Sequence, residues 1–328
     1  MNQPRLIKML VLGLPIGLFL IGGGSMLWHF KHPKPAGKAP VNPPSSKPVS
    51  QLDLQFYVTR MARDIGPRPA TDPNPTKASI SFIQGTLGMN NIGFTRVETE
   101  PFSETDPTLV NLFVEVPGSD ASVGTILVAT HYDSPPDSPG ANANGTGVAA
   151  NLALANYFLG RKPVHTLRFA FLGNALGAAP NGPQTLAKAY QTRGRRLTAV
   201  ICLDQLGNFS DTANSQQPWP RAETPLPTTG NFLAFAATPA SKALLTDCLP
   251  RFAKNSPLAV QPILAPDLQS PLAQAFANLD FPSLLLTDTA KLRQPNSGTA
   301  LDLPEQLDFV RFTEAVRGIG GMLESLAQ

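Results

Sequence analysis

The sequence predicts an α/β protein of three layers, a mostly parallel mixed sheet with helices on both faces. Two observations support this. From about Gln51 onward, short apolar runs rich in β-branched residues alternate with longer stretches of helical periodicity, the pattern of a parallel sheet whose crossovers are helices. Several of the apolar runs also stop at polar residues, among them His131, Asn174, Asp204 and Asp288. In open α/β sheets, ligands bind just beyond the carboxyl ends of the strands.

Taken in order, the chain begins with Arg5 and Lys8 ahead of an apolar run from Met9 to Trp28. About twenty residues rising 1.5 Å each span a bilayer core, so residues 1–30 are read as an uncleaved signal anchor; a cleaved leader ending at Gly22 to Ser25 is the alternative. Lys31, Lys34 and Lys38 follow the span and blur the charge asymmetry that sets orientation. Residues 31–50 hold six prolines and four lysines with few large apolar side chains, a composition that buries too little surface to fold and reads as a linker. Residues 51–328 are read as one domain without internal repeats.

Within that domain, an amphipathic helix is predicted from Leu52 to Ile65, stopped by Gly66-Pro67-Arg68-Pro69. A second helix covers Thr76 to Leu87. Extended segments follow at Thr95 to Phe102, Leu109 to Val116 and Thr125 to Thr130, the last two separated by Pro117-Gly118. Helices are then predicted over Gly145 to Leu159, Gln184 to Thr192, Ser241 to Ala253, Pro271 to Ala277 and Gln306 to Leu326, with strands over Thr166 to Leu172, Ala199 to Leu203 and Pro282 to Thr287. No element is assigned between Leu203 and Ser241 or between Ala253 and Pro271.

Composition excludes some functions. Net charge is +3 from 26 basic and 23 acidic residues, and much of the excess sits near the N-terminus, so no nucleic-acid partner is expected. Cys202 and Cys248 are the only cysteines; they offer neither a disulfide framework nor a cysteine zinc site, although one bridge between them stays open. No Gly-x-Ser-x-Gly, His-Glu-x-x-His or P-loop pattern occurs.

Five motifs in order carry a family resemblance: Ile65-Gly66-Pro67-Arg68-Pro69, His131-Tyr132-Asp133-Ser134, Pro139-Gly140-Ala141-Asn142 with Gly147-Val148-Ala149, Ile201-Cys202-Leu203-Asp204, and Leu286-Thr287-Asp288-Thr289. Together they resemble the zinc exopeptidases that include secreted bacterial aminopeptidases and glutaminyl cyclases. The resemblance runs from about Leu52 to Leu326. It implies a zinc exopeptidase-like fold and, in intact members, two zinc ions that bind and acidify a water while a glutamate carries its proton.

Carried over by position, the resemblance makes His131 and Asp204 residual metal-ligand positions and Asp133 the carboxylate that orients the imidazole. The remaining positions are replaced. Ala143 stands where a bridging aspartate belongs, Ala175 and Gly298 stand where the second ion's glutamate and histidine belong, and Asn174 replaces the general base. Stable zinc sites use three or four protein donors, and an amide cannot take up the proton a base must accept. No cofactor is therefore expected to be held firmly, and zinc only weakly. His29 and His32 lie beside the predicted span, and His165 precedes a strand, so neither replaces the lost histidine. Asp137 reads as a turn residue and Cys202 as inert core.

The expected function is that of a membrane-anchored pseudopeptidase with a binding or scaffold role, its former cleft open to a peptide or protein ligand. The alternative is a weak or atypical metal-dependent exopeptidase. The secretion usual in the resembled family sets the domain outside the cytoplasm, periplasmic or extracellular, on a single-pass anchor.

Overall fold

Eight strands form a single sheet in the order β1-β2-β4-β3-β5-β8-β6-β7, as seen in a computed structural model that describes residues 47–328. The strands are β1 (Glu98–Pro101), β2 (Val110–Val116), β3 (Thr125–His131), β4 (Thr166–Leu172), β5 (Leu197–Leu203), β6 (Phe232–Ala237), β7 (Ala259–Leu264) and β8 (Ser283–Thr287). Four neighbouring pairs are parallel, and β1–β2, β2–β4 and β6–β8 are antiparallel. The predicted span at Met9 to Trp28 lies outside the described residues. Among those described, no helix is long and apolar enough to cross a membrane.

Seven α-helices pack on the sheet: α1 (Gln51–Thr59), α2 (Pro73–Leu87), α3 (Gly147–Phe158), α4 (Gly182–Thr192), α5 (Lys242–Ala253), α6 (Pro271–Ala277) and α7 (Phe309–Leu326). Alternate side chains along each strand feed opposite faces, and the core divides accordingly. Leu112, Val128, Phe169, Ile201 and Phe235 pack with α1, α2, α3, α5 and α7 on one face. Phe113, Leu127, Ala170, Cys202 and Ala234 pack with α4 and α6 on the other. This is the three-layer α/β arrangement expected from the alternation of elements.

Differences lie at helix starts and at one sheet edge. The helices α2, α4 and α7 begin where Asp72, Asn181 and Asp308 accept hydrogen bonds from first-turn amides, a capping preference that fixes their starts better than apolar periodicity does. The predicted first helix changes after Thr59 into a π-helical turn, Arg60–Ile65. Both β6 and β7 were missed. The first reads Phe-Leu-Ala-Phe-Ala-Ala, an apolar run whose periodicity does not separate strand from buried helix. The second is an edge strand, mostly unburied, with Pro262 inside it.

Parallel β3 lies between β4 and β5, so successive crossovers leave it in opposite directions. The carboxyl ends of β3 and β5 thus flank a topological switch point, where such sheets open a crevice.

Candidate functional site

The register between β3 and β5 pairs Ala129 with Cys202, which brings His131 at the end of β3 beside Asp204 just past β5. Their Nε2 and Oδ1 atoms are 3.5 Å apart. On the other side of the ring, Nδ1 lies 3.2 Å from Asp133 Oδ1 and 3.1 Å from the Asp133 carbonyl. The Asp133 carboxylate also accepts hydrogen bonds from the amides of Ala175 and Leu176, and so holds the loop after β4 against the histidine. Asp204 Oδ2 accepts a 2.6 Å hydrogen bond from Ser270, the residue that caps α6. Its Oδ1 is buried and has no hydrogen-bond partner.

Electrostatics ties these groups together. Burial works against an imidazolium at His131, but the contact with Asp133 and the negative charges of Asp133 and Asp204 outweigh it and hold the ring pKa up at about 10. Burial likewise works against the Asp204 anion, and His131, Ser270 and Gln205 reverse it, so that this carboxyl stays below its ordinary range. The two residues form a buried pair.

The facing loop, Ala141–Thr146, keeps its shape through its two asparagines. Asn144 donates from Nδ2 to the Leu203 carbonyl and to Thr130, and its Oδ1 accepts from the amides of Gly147 and Gln205. Asn142 donates to Asp288 and accepts from the Gly207 amide. Between them Ala143 turns a methyl group toward the cleft. The amides of Asn142, Ala143 and Gly298 all donate to Asp302, a carboxylate that sequence reasoning passed over because it lies in no strand-end motif.

Asn174 follows β4, and its side chain turns into its own loop. Its backbone is left-handed, with φ 51°, and its amide donates to the carbonyls of Ala178 and Pro180 within its own loop. The side chain therefore braces that loop instead of standing in the cleft at the position of a base. Ala175 is buried and bonded through its amide to Asp133, while Leu176, 41% exposed, reaches the cleft. Gly298 has a left-handed φ of 70°, and a Cβ there would lie 3.3 Å from Pro135 Cγ, 3.8 Å from Ala143 Cβ and 3.9 Å from Lys291 Cε. Asp137 is an exposed residue with positive φ in the turn after His131. Cys202 and Cys248 are both free and buried.

Arg68, quoted above only as part of a signature, is fully buried and lies within hydrogen-bond distance of the carbonyls of Met61, Gly66, Tyr132, Pro139 and Gly140. It fastens the loop after β3 to the turn after α1. Burial brings its pKa down to about 10, against the pull of Asp133 and Asp302.

The cleft is a cavity of about 300 Å³ lined by residues that include His131, Ala143, Leu176, Asp204, Lys291 and Ser297. Zinc fits this donor set poorly. Only His131 and Asp204 converge as donors, and among the described residues no group of three or more His, Cys, Asp or Glu side chains is arranged to hold a metal ion. The nearby carboxylates are already engaged, Asp302 by three amides and Asp288 by the Asn208 and Ala290 amides and Asn142. Two donors fall short of the three or four that zinc sites use.

A three-layer sheet with a histidine–carboxylate pair at its switch point defines a domain of the zinc exopeptidase type. Comparison with known proteins agrees. The sequence profile described as "Peptidase family M28" matches residues 111–245. A probable zinc metalloprotease of Pyrenophora tritici-repentis is 35% identical over 119 residues, which is 34% of this chain and 27% of that protein. A vacuolar membrane protease of Meyerozyma guilliermondii is 31% identical over 97 residues, 29% of this chain and 10% of that one. In fold, the crystal structure of LapB from Legionella pneumophila superposes with a TM-score of 0.67 at 14% identity, covering 85% of this chain and 72% of that one. Over residues 111–245 the chain is thus similar to the M28 peptidases, and its fold is that of the aminopeptidase-type structures. The matched stretches span about a quarter or less of these curated relatives' lengths.

Proposed function

We propose that this chain is a membrane-anchored pseudopeptidase, whose M28-type cleft binds a peptide or protein ligand without hydrolysing it. In this reading residues 1–30 are the signal anchor, residues 31–50 the linker and residues 51–328 a domain held outside the cytoplasm. The match to a vacuolar membrane protease is in keeping with membrane attachment. One observation supports the absence of chemistry: among the described residues one histidine–carboxylate pair converges on the cavity with no third His, Cys, Asp or Glu, and Asn174 bonds within its own loop. A base alone contributes about 10²- to 10⁴-fold to such reactions.

A second reading, weak metal-dependent exopeptidase activity, draws on the buried Asp204 Oδ1. That atom has no hydrogen-bond partner and faces His131 Nε2. A cation completed by ligand atoms would satisfy it.

The deciding experiment is to assay the full chain on aminoacyl and N-terminal glutaminyl substrates with added zinc, cobalt or manganese. No turnover above the His131→Ala control is expected. Metal-dependent turnover that disappears in that control would overturn the pseudopeptidase reading in favour of the second.

A further inference from the structure

We propose that the cleft recognises a carboxylate set beside an apolar side chain, with Lys291 as the group that binds the anion. This deepens the pseudopeptidase reading and rests on it. On the side of the cleft where the second ion's ligands are replaced, Ala143 and Gly298 leave a gap, and the aliphatic stem of Lys291 reaches to within 3.9 Å of where a Gly298 side chain would begin. A single positive charge on a flexible stem thus stands in the part of the cleft that a dication and its ligands would otherwise fill.

Three features make Lys291 available. It is exposed, and it makes no salt bridge among the described residues. The single carboxylate in the cavity lining, Asp204, is turned toward Ser270 and His131. The turn that presents the lysine is also fixed. Thr289 and Ala290 both adopt left-handed backbone, at φ 75° and 53°, a conformation that costs energy in non-glycine residues and persists only where surrounding contacts impose it. Here the Ala290 amide donates to Asp288 and the Thr289 hydroxyl to Gln216.

The rest of the lining indicates what accompanies the charge. Leu176, Leu292, Pro135 and Pro271 join Ala143 to make the cavity wall mainly apolar, and Leu176 is a large apolar side chain left 41% exposed at this site. A cavity of about 300 Å³ is at the small end for an organic ligand, enough for one or two residues of a peptide. A lysine in that space repels a protonated amino terminus and attracts a carboxylate. A C-terminal carboxylate after an apolar residue and an acidic side chain next to one present the same chemistry.

Calorimetric titration of the full chain with four capped dipeptides tests this. The probes are N-acetyl-Ala-Leu with a free carboxylate, its C-terminal amide, Ala-Leu amide with a free amine, and N-acetyl-Leu-Glu amide, whose only charge is the side-chain carboxylate. At least one carboxylate probe should bind about tenfold or more tightly than the neutral amide, the scale of a charge-assisted hydrogen bond. Lys291→Gln should abolish that preference and Lys291→Arg should keep most of it. Which carboxylate probe binds identifies a terminus or an acidic side chain as the source. Equal affinity for acid and amide, preference for the free amine, no binding by any probe, or an unchanged preference in a folded Lys291→Gln protein would each overturn the proposal. None of these outcomes touches the turnover assay, and metal-dependent turnover would sink the pseudopeptidase reading whatever the calorimetry shows.

Discussion

On the β3–β5 side of the cleft, His131 and Asp204 point their side chains at one another across 3.5 Å, whereas on the facing side Ala143 presents a methyl group and Gly298 no side chain at all. The loops that carry the two sides are nevertheless equally well held. Asp133 fixes the loop after β4 on the first side. Asp302, Asn142 and Asn144 fix the loops of the second through amides and carbonyls, without any need for a metal. The contrast separates two jobs that metallopeptidase sequences combine. The groups that shape the backbone around the cleft satisfy buried polar atoms that the fold cannot leave unpaired, whatever the side chains that face into it.

The widest break in that comparison should come from Arg68, since it serves both sides at once. Arg68→Met would remove a donor from five carbonyls, of which those of Met61 and Gly140 keep a backbone amide while those of Gly66, Tyr132 and Pro139 lose the side-chain donor that holds the two loops together. Such losses are not additive, but together they should cost about 4 kcal/mol or more of stability. Urea denaturation of the purified chain measures this, and failure to accumulate soluble protein would be the extreme form of the same result. A loss under about 1 kcal/mol would mean that the loops hold themselves and that Arg68 is incidental.

A second substitution sharpens the contrast by rebuilding one donor. Ala143 has a negative φ of −105°, and its side chain lines the same cavity as His131 and Asp204. Ala143→Asp supplies a third donor, the minimum that protein zinc sites use. Zinc should then bind at least about tenfold more tightly than to the unaltered chain, a step on the scale that even outer partners of metal ligands produce. Titration with zinc followed by calorimetry reads it directly. Unchanged binding would mean that position 143 does not correspond to the bridging aspartate. Rebuilding at Gly298 is a poorer test, because its left-handed φ and the closeness of Pro135 would strain any side chain placed there.

How much of this was legible in the sequence depended on the physical signal each part leaves. The central strands β3, β4 and β5 announce themselves as apolar runs ending in polar residues, and the pairing of His131 with Asp204 follows from parallel strands in register. For Asn174 the sequence shows which residue replaces the base, but position in a motif does not fix where its side chain points. A left-handed backbone turned its amide onto Ala178 and Pro180, and the sequence gives little sign of that. Asp302 and Arg68 join near main-chain partners to others more than sixty residues away, a link that no local pattern encodes. Lys291 lies in no motif, and only the folded chain places it beside Ala143 and Gly298 in the cleft.

The last test concerns a carboxylate on the facing side that acts as a strut instead of a ligand. Asp288 is fully buried and accepts hydrogen bonds from the Asn208 and Ala290 amides and from Asn142. Burial pushes its carboxyl from 3.8 up to about 6, even though Arg293 and those hydrogen bonds favour the anion. Between these two values the folded protein binds more protons at this site than the unfolded chain does. Its contribution to stability therefore rises as pH falls through about 6 and levels off below the unfolded value. Asp288→Asn removes this titration but leaves that of His131 in place, so the difference between the two proteins isolates the carboxyl. From pH 7.5 to 4.5 the unaltered chain should gain about 2 kcal/mol relative to the variant, as a shift of this size implies. Urea denaturation at a series of pH values follows the gain. A relative loss over the same range would mean that Arg293 and the three donors hold Asp288 as an anion below its ordinary range. The facing side would then keep a true negative charge, as a metal centre would, and the division between the two sides of the cleft would be less sharp than the geometry of their side chains implies.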